Sequence, residues 1–389
     1  MNDFQTLNDD VAYIETQSQG LQVQTANQKL LHSELQNLLK TLSISPSYLR
    51  PLKEASLTDV HELSQTEAVL STLYKAMLTI DPDIWQNKKR LVDAAGEHFS
   101  VGAYADTDIG QMRAIQEKKK EYRDEARVFL MRLKDFMGEI FLKAEHKMVN
   151  NNNGVGGPRD PMKIDAMARN SFRQDLWIYN PLILFAREVS LVQWHSLINL
   201  YEQQARMPFQ KDFRHNILSW RHAMRQPTGE EQELLFTHQD KEKEGESIAM
   251  AARKLTVVKR GKAVKGSSSA GLLRLATGER PTDKLEPFEV FTASLEETMN
   301  AVSDEQNFVV QYFHLNSMAG ADFSDLVAAG GPEARALPDF SIKQPHDPDR
   351  MMAKKVESTM DEIYSFWPTE MEHFAESVTK ADPLYVFCN

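Results

Sequence analysis

Apolar residues return every seven positions at the start of the chain. Positions 7, 14, 21, 35 and 42 are Leu, Ile, Leu, Leu and Leu, and the stretch from Leu7 to Leu42 holds no Pro and a single Gly. That period predicts one long helix with a coiled-coil seam, roughly 55–60 Å from end to end at about 1.5 Å per residue. The companion line of Val11, Ser18, Thr25, His32 and Leu39 is apolar only at its ends, and Gln28 interrupts the first line. Polar residues inside such a seam fix register and partner choice at some cost in stability. The helix is therefore expected to zip onto a partner helix in preference to its own chain.

Helical periodicity continues downstream. Ser64-Gln65-Thr66-Glu67 has capping-box spacing ahead of Val69, Leu70, Leu73, Tyr74 and Met77, so a second helix is expected to open there and to end at Asp81-Pro82-Asp83. A sustained seam follows over 111–149: Ile115, Tyr122, Ala126, Phe129, Leu133, Phe136, Ile140, Ala144 and Met148. The Asn- and Gly-rich run from Asn150 to Pro158 reads as a linker. Beyond it, Val189, Val192, Leu197, Leu200 and Tyr201, then Phe213, Ile217, Trp220 and Met224, predict helices broken at Pro208. Residues 229–246 carry seven acids, and 247–278 carry seven Lys or Arg and no acid, a composition that reads as disordered. Phe288, Phe291, Leu295, Met299, Val302, Val309 and Phe313 restore a helical face, and a further helix is expected from Met351 to Phe366, ending before Pro368.

No segment alternates as a strand does, so the expected fold is all-α: a long coiled-coil helix followed by stacked helical bundles in an extended rod. The expected organisation is coiled-coil core-assembly helices over 1–149, a flexible linker over 150–169, a first bundle part over 170–225, a disordered charged linker over 226–286, a second bundle part over 287–316, a loop over 317–349, and the start of a next, truncated bundle over 350–389. Both ends read as internal to something longer, since periodicity begins within seven residues of the start and the chain stops on Leu384, Tyr385, Val386 and Phe387.

Composition narrows the function class. A formal net charge of -11 argues against nucleic acid as a partner. One cysteine, Cys388, allows no internal disulfide framework and no cysteine metal site, and fits a reducing compartment. No run approaches eighteen apolar residues, and a cytoplasmic protein is expected. Basic residues do cluster locally: Arg253, Lys254, Lys259, Arg260, Lys262 and Lys265 in the charged linker, and Lys211, Arg214, Arg221 and Arg225 on a helix. Such clusters can hold an anionic bilayer or an acidic partner at about 1 kcal/mol per charge, though a solvated linker is the plainer reading of the first.

Candidate chemistry is thin. Gly154-Val155-Gly156-Gly157 lacks the strand and the Lys-Ser/Thr pair of a phosphate loop. Glu370 and His373 have Glu-x-x-His spacing, but a di-iron site needs two such motifs and further carboxylates. His215 and His222 have no ligand-rich neighbour in sequence, and Ser267-Ser268-Ser269 has no base beside it. No catalytic residue, metal or cofactor is expected, and a non-enzymatic scaffold is.

The stretch from Leu7 to Leu31, followed by Glu34-Leu35-Gln36-Asn37-Leu38-Leu39-Lys40-Thr41-Leu42, resembles the coiled-coil region of exocyst complex component one, most closely in its fungal form. Leu200-Tyr201-Glu202 and Pro208 to Phe213 look like that family's first helical bundle, Phe291 to Leu315 like its later core, and Leu384-Tyr385-Val386 like the start of the next bundle. The resemblance implies a subunit of the octameric exocyst, which tethers secretory vesicles to the plasma membrane at sites of polarised secretion. It also implies that the first helix pairs with another subunit, most commonly component two. Carried onto this sequence, that interface comprises Leu7, Val11, Ile14, Leu21, Leu31, Leu35, Leu38 and Leu42. The family's contacts with Rho-family GTPases and phosphoinositide membranes belong to a domain that precedes the coiled coil and is missing from this chain. The rival readings from the residues alone are a homodimeric coiled-coil cytoskeletal or adaptor protein and a helical metalloenzyme.

Overall fold

A computed structural model describes residues 2–84, 104, 110–150, 162–226, 284–317, 321–342 and 349–381, with the backbone alone at 2–10 and 145–150. The described residues form eleven α-helices: α1 (Asn2–Leu42), α2 (Pro51–Glu54), α3 (Val60–Ile80), α4 (Arg113–Asn150), α5 (Ala166–Trp177), α6 (Asn180–Val189), α7 (Leu191–Ala223), α8 (Pro287–Tyr312), α9 (Phe323–Ala329), α10 (Arg350–Ile363) and α11 (Trp367–Ala381), with a 3-10 turn at Pro332–Ala334. Among them there is no strand beyond an isolated parallel bridge between Met224 and Leu285. The fold is all-α, consistent with a helical-bundle rod.

The main core runs without interruption from Leu38 to Phe366. Helix α4 lies along α7 and also packs on α5, while α10 covers another side of α7. Phe129, Leu133, Met137 and Phe141 of α4 are buried in the same core as Leu197, Tyr201 and Phe209 of α7. Helices on both sides of the glycine-rich segment therefore share one core. A smaller cluster of Ile217, Trp220, Met224, Val290, Met371, Phe374 and Val378 closes the far end, where α7, α8 and α11 meet.

Several element boundaries differ from the sequence expectation, each for a local physical reason. Helix α3 opens at Val60, because Asp59 accepts a hydrogen bond from the Glu62 amide at 2.9 Å and so caps the first turn. Thr66 and Glu67 of the supposed capping box lie mid-helix and buried. Pro208 does not break α7, which continues to Ala223. A proline inside a helix costs about 3 kcal/mol, and burial of Tyr201, Ala205, Phe209 and Phe213 on both sides of it outweighs that. The expected linker over 150–169 is shorter at its end: Asp165 caps α5 by accepting from the Ala168 amide at 2.9 Å. The expected loop over 317–349 contains α9, with a reciprocal Asp322–Asp325 capping box. That helix forms because Phe323 inserts between Tyr74 and Phe185, with ring centroids 5.7 Å and 5.1 Å away. Pro368 stands in the first turn of α11, where the missing amide costs nothing. The expected disorder at 226–286 falls almost wholly outside the described residues.

Candidate partner-helix interface

Helix α1 is two structures in one. Its last two turns are fixed to the body of the chain: Leu38 and Leu42 are 4% and 7% exposed, and Leu35 is half-buried. The Tyr122 hydroxyl donates to the Leu42 carbonyl, one of the acceptors that a helix C-terminus leaves open. The Tyr104 hydroxyl donates to the Glu34 carboxylate, and that hydrogen bond, with burial, raises the Tyr104 pKa.

Toward the N-terminus the same helix leaves the body. Ile14 and Leu21 are 63% and 59% exposed, Val11 and Leu31 are half-exposed, and Tyr13, Val23 and Leu30 also face outward. No described segment covers this arm. Of the eight positions expected at a partner interface, Val11, Ile14, Leu21 and Leu31 are open, Leu35 is partly so, and Leu38 and Leu42 lie in the chain's own core. Leu7 is on the helix, with its side chain outside those described.

The buried and open faces share one line of residues and differ in its companion line. The body buries Leu38, three residues after Leu35, whereas the coiled-coil seam predicts Leu39, four residues after it, and Leu39 is 67% exposed. Leu35 and Leu42 continue the line of Ile14 and Leu21, and Leu38 follows Leu31 by seven, so the anchor keeps one line of the arm and takes its companion from the Leu31 side in place of the Val11 side. One polar seam residue of the arm can tolerate burial: the Thr25 hydroxyl donates to the Leu21 carbonyl at 2.8 Å, satisfying its donor within the helix.

The other candidates take other roles. The Arg253–Lys265 cluster, Cys388, Ser267–Ser269 and the glycines at 154–157 lie outside the described residues. On α7, Arg214 pairs with Glu370, and Arg225, just past the helix end, pairs with Glu286; Lys211, Arg221, His215 and His222 are exposed. Glu370 thus serves an ion pair, and among the described residues no group of three His, Cys, Asp or Glu could hold a metal.

Sequence reasoning missed the charges inside the bundle. Arg173 donates to Glu305 at 2.9 Å with both side chains buried, and the Tyr201 hydroxyl donates to the other oxygen of Glu305. Burial and the Glu305 charge hold the Tyr201 phenol well above its ordinary pKa. Arg169, one turn before Arg173, pairs with Asp212 at 3.0 Å and lies over the Phe209 ring. The one-turn spacing of two arginines on α5 was the available signal, but their face is visible only once α8 packs on it. This network ties α5, α7 and α8 together.

Residues 1–79 match the family model described as exocyst complex component Sec3, coiled-coil, and residues 312–388 match the one described as exocyst complex component Sec3, C-terminal. Comparison with curated proteins and with solved structures found no match.

Proposed function

We propose that this chain, which carries the coiled-coil and C-terminal segments of an exocyst Sec3 subunit, acts as a structural subunit that joins its complex by zippering the arm of α1 onto a helix of another exocyst subunit. Component two is the partner the family resemblance favours. The observation that carries the reading is the uncovered aliphatic line of Val11, Ile14, Leu21 and Leu31 on a helix whose other end is anchored. In this reading the complex tethers secretory vesicles to the plasma membrane, and the chain is cytoplasmic and peripheral at sites of polarised secretion. Its role is mechanical, with no catalytic residue. No helix among the described residues is long and apolar enough to cross a membrane. Contacts with Rho-family GTPases and phosphoinositides are left to a domain outside this sequence.

Magnitudes bear on how the joint works. Burying the four open aliphatic side chains contributes on the order of 6–12 kcal/mol gross, at about 1.5–3 kcal/mol each. Association costs about 4–15 kcal/mol. A two-helix contact along this arm alone is marginal, which favours further helices packing on the pair.

The test is Leu21→Asp in the full chain. A charge buried in the seam is expected to lower affinity for the other exocyst subunits by several kcal/mol, while the melting temperature stays unchanged because no described part of the fold covers Leu21, which is 59% exposed. Leu38→Asp, at the anchored end, is expected to lower the melting temperature instead. Normal recovery of the other subunits with Leu21→Asp would refute the zipper.

A further inference from the structure

The identity of the helix that covers the arm is constrained by the charges beside the open seam. In the heptad register set by Leu7, Ile14 and Leu21, the flanking positions are Asp10, Gln17 and Gln24 on one side and Glu15, Gln22 and Lys29 on the other. In a parallel two-stranded coiled coil, each residue of the first set faces the residue five places further along the other helix. Two copies of this chain would set Asp10 against Glu15 of the second copy twice over, Gln17 against Gln22, and Gln24 against Lys29. Self-pairing therefore gains no attractive flank contact and suffers two repulsive ones. Over residues 2–28 there are four acids, Asp3, Asp9, Asp10 and Glu15, and no Lys or Arg, so a small slip of register finds no relief.

Antiparallel self-pairing fares no better. Bringing Lys29 beside Glu15 of a second copy overlays Val11 on Leu35 of that copy. Leu35 is already half-buried against its own body, and the preceding residue, Glu34, is held by Tyr104.

We propose that the arm of α1 is built to reject its own copies and to accept a helix of a different chain that carries Lys or Arg opposite Asp10 and Glu15. Such a helix has an aliphatic seam facing Val11, Ile14 and Leu21 and polar residues facing Ser18, Thr25 and Gln28. The charges act by both attraction and exclusion: the basic flank speeds and orients docking, and the acid–acid clash removes the homodimer. This rests on the zipper reading above and adds to it the partner's chemistry.

The experiment compares three full-length chains: wild type, Leu21→Asp, and the double reversal Asp10→Lys/Glu15→Lys. Each is measured alone by sedimentation and then for recovery with exocyst subunits purified through a tag on a different subunit. Wild type is expected to sediment as a monomer. The charge reversal is expected to lower recovery about tenfold at low salt, with the gap closing near about 0.5 M salt. Leu21→Asp is expected to lose recovery at every salt concentration. If the charge-reversed chain is recovered like wild type while Leu21→Asp is lost, the basic-partner proposal falls and the zipper stands. If both are recovered like wild type, both readings fall. Self-association of wild type that Leu21→Asp abolishes also overturns the proposal, because the arm would then accept its own copy.

Discussion

His314 ends α8 in the left-handed region, with φ 55°, where glycine is the usual occupant. The following amide, of Leu315, reaches back to the Val310 carbonyl at 2.9 Å, which closes the helix end in the manner of a Schellman turn. The imidazole sits 3.1 Å from the Asn180 carbonyl. Burial lowers its pKa to about 4, and the neighbouring Arg187 guanidinium pushes the same way. Because the folded pKa lies below the ordinary value of about 6.5, the neutral ring is bound in the folded state while the unfolded chain takes up a proton first. This stabilisation is complete above about pH 6.5 and is lost as pH falls toward about 4. The loss is on the order of 2 kcal/mol, below the full linkage value because the ring keeps some solvent contact. His314→Gly is expected to flatten the pH dependence of the melting temperature between about pH 7 and 4 while leaving the turn intact. An unchanged slope would assign the effect to other groups.

At the scale of elements, polar contacts decide where the segment after α9 lies. Arg335 makes a two-point contact with Glu67 of α3, at 2.9 Å and 2.6 Å, and donates to the Ile178 and Gly330 carbonyls. Burial raises the Glu67 pKa, and Arg335 opposes that rise. Nearby, the Asn307 amide donates to the Phe340 carbonyl at 2.6 Å, and the Phe340 ring packs on Phe308 and Trp177. This strap ties α3 in the N-terminal part of the chain to α8 in the C-terminal half. Arg335→Ala is expected to cost about 3–5 kcal/mol, since it leaves a buried carboxylate unpaired. Adding Glu67→Leu to that variant is expected to recover much of the loss. Denaturant titration of both variants checks this, and an additive double mutant would deny the coupling.

Across the whole molecule, the charged stretch between α7 and α8 leaves and returns at one point. The Arg225 amide donates to the Leu285 carbonyl at 2.8 Å, the Leu285 amide donates to the Ala223 carbonyl at 3.0 Å, and Arg225 pairs with Glu286. Replacing residues 229–280 with a short Gly-Ser stretch therefore needs no change in the body. Because loop entropy varies slowly with length, stability is expected to move by no more than about 1–2 kcal/mol. Assembly with other exocyst subunits is expected to persist. A large drop in melting temperature would mean that those residues build core.

What the sequence determined alone was whatever depends on local period: helices in place of strands, the long first helix, and the polar layers along its seam. Leu7 to Leu42 announced themselves because a seven-residue repeat is a property of the helix and needs no neighbour. Phe323, an isolated aromatic seventeen residues from the next in a Gly- and Pro-rich stretch, carried no such period, so α9 was invisible until Tyr74 and Phe185 supplied its pocket. Likewise α8 buries Glu305 while Met299 stays exposed, because Arg173 of α5 meets that carboxylate inside the bundle. Only the tertiary structure decided that Leu38 and Leu42 belong to the body and that Ile14 and Leu21 do not. Burial depends on what packs from distant sequence, and no repeat along one helix encodes where its own chain stops covering it.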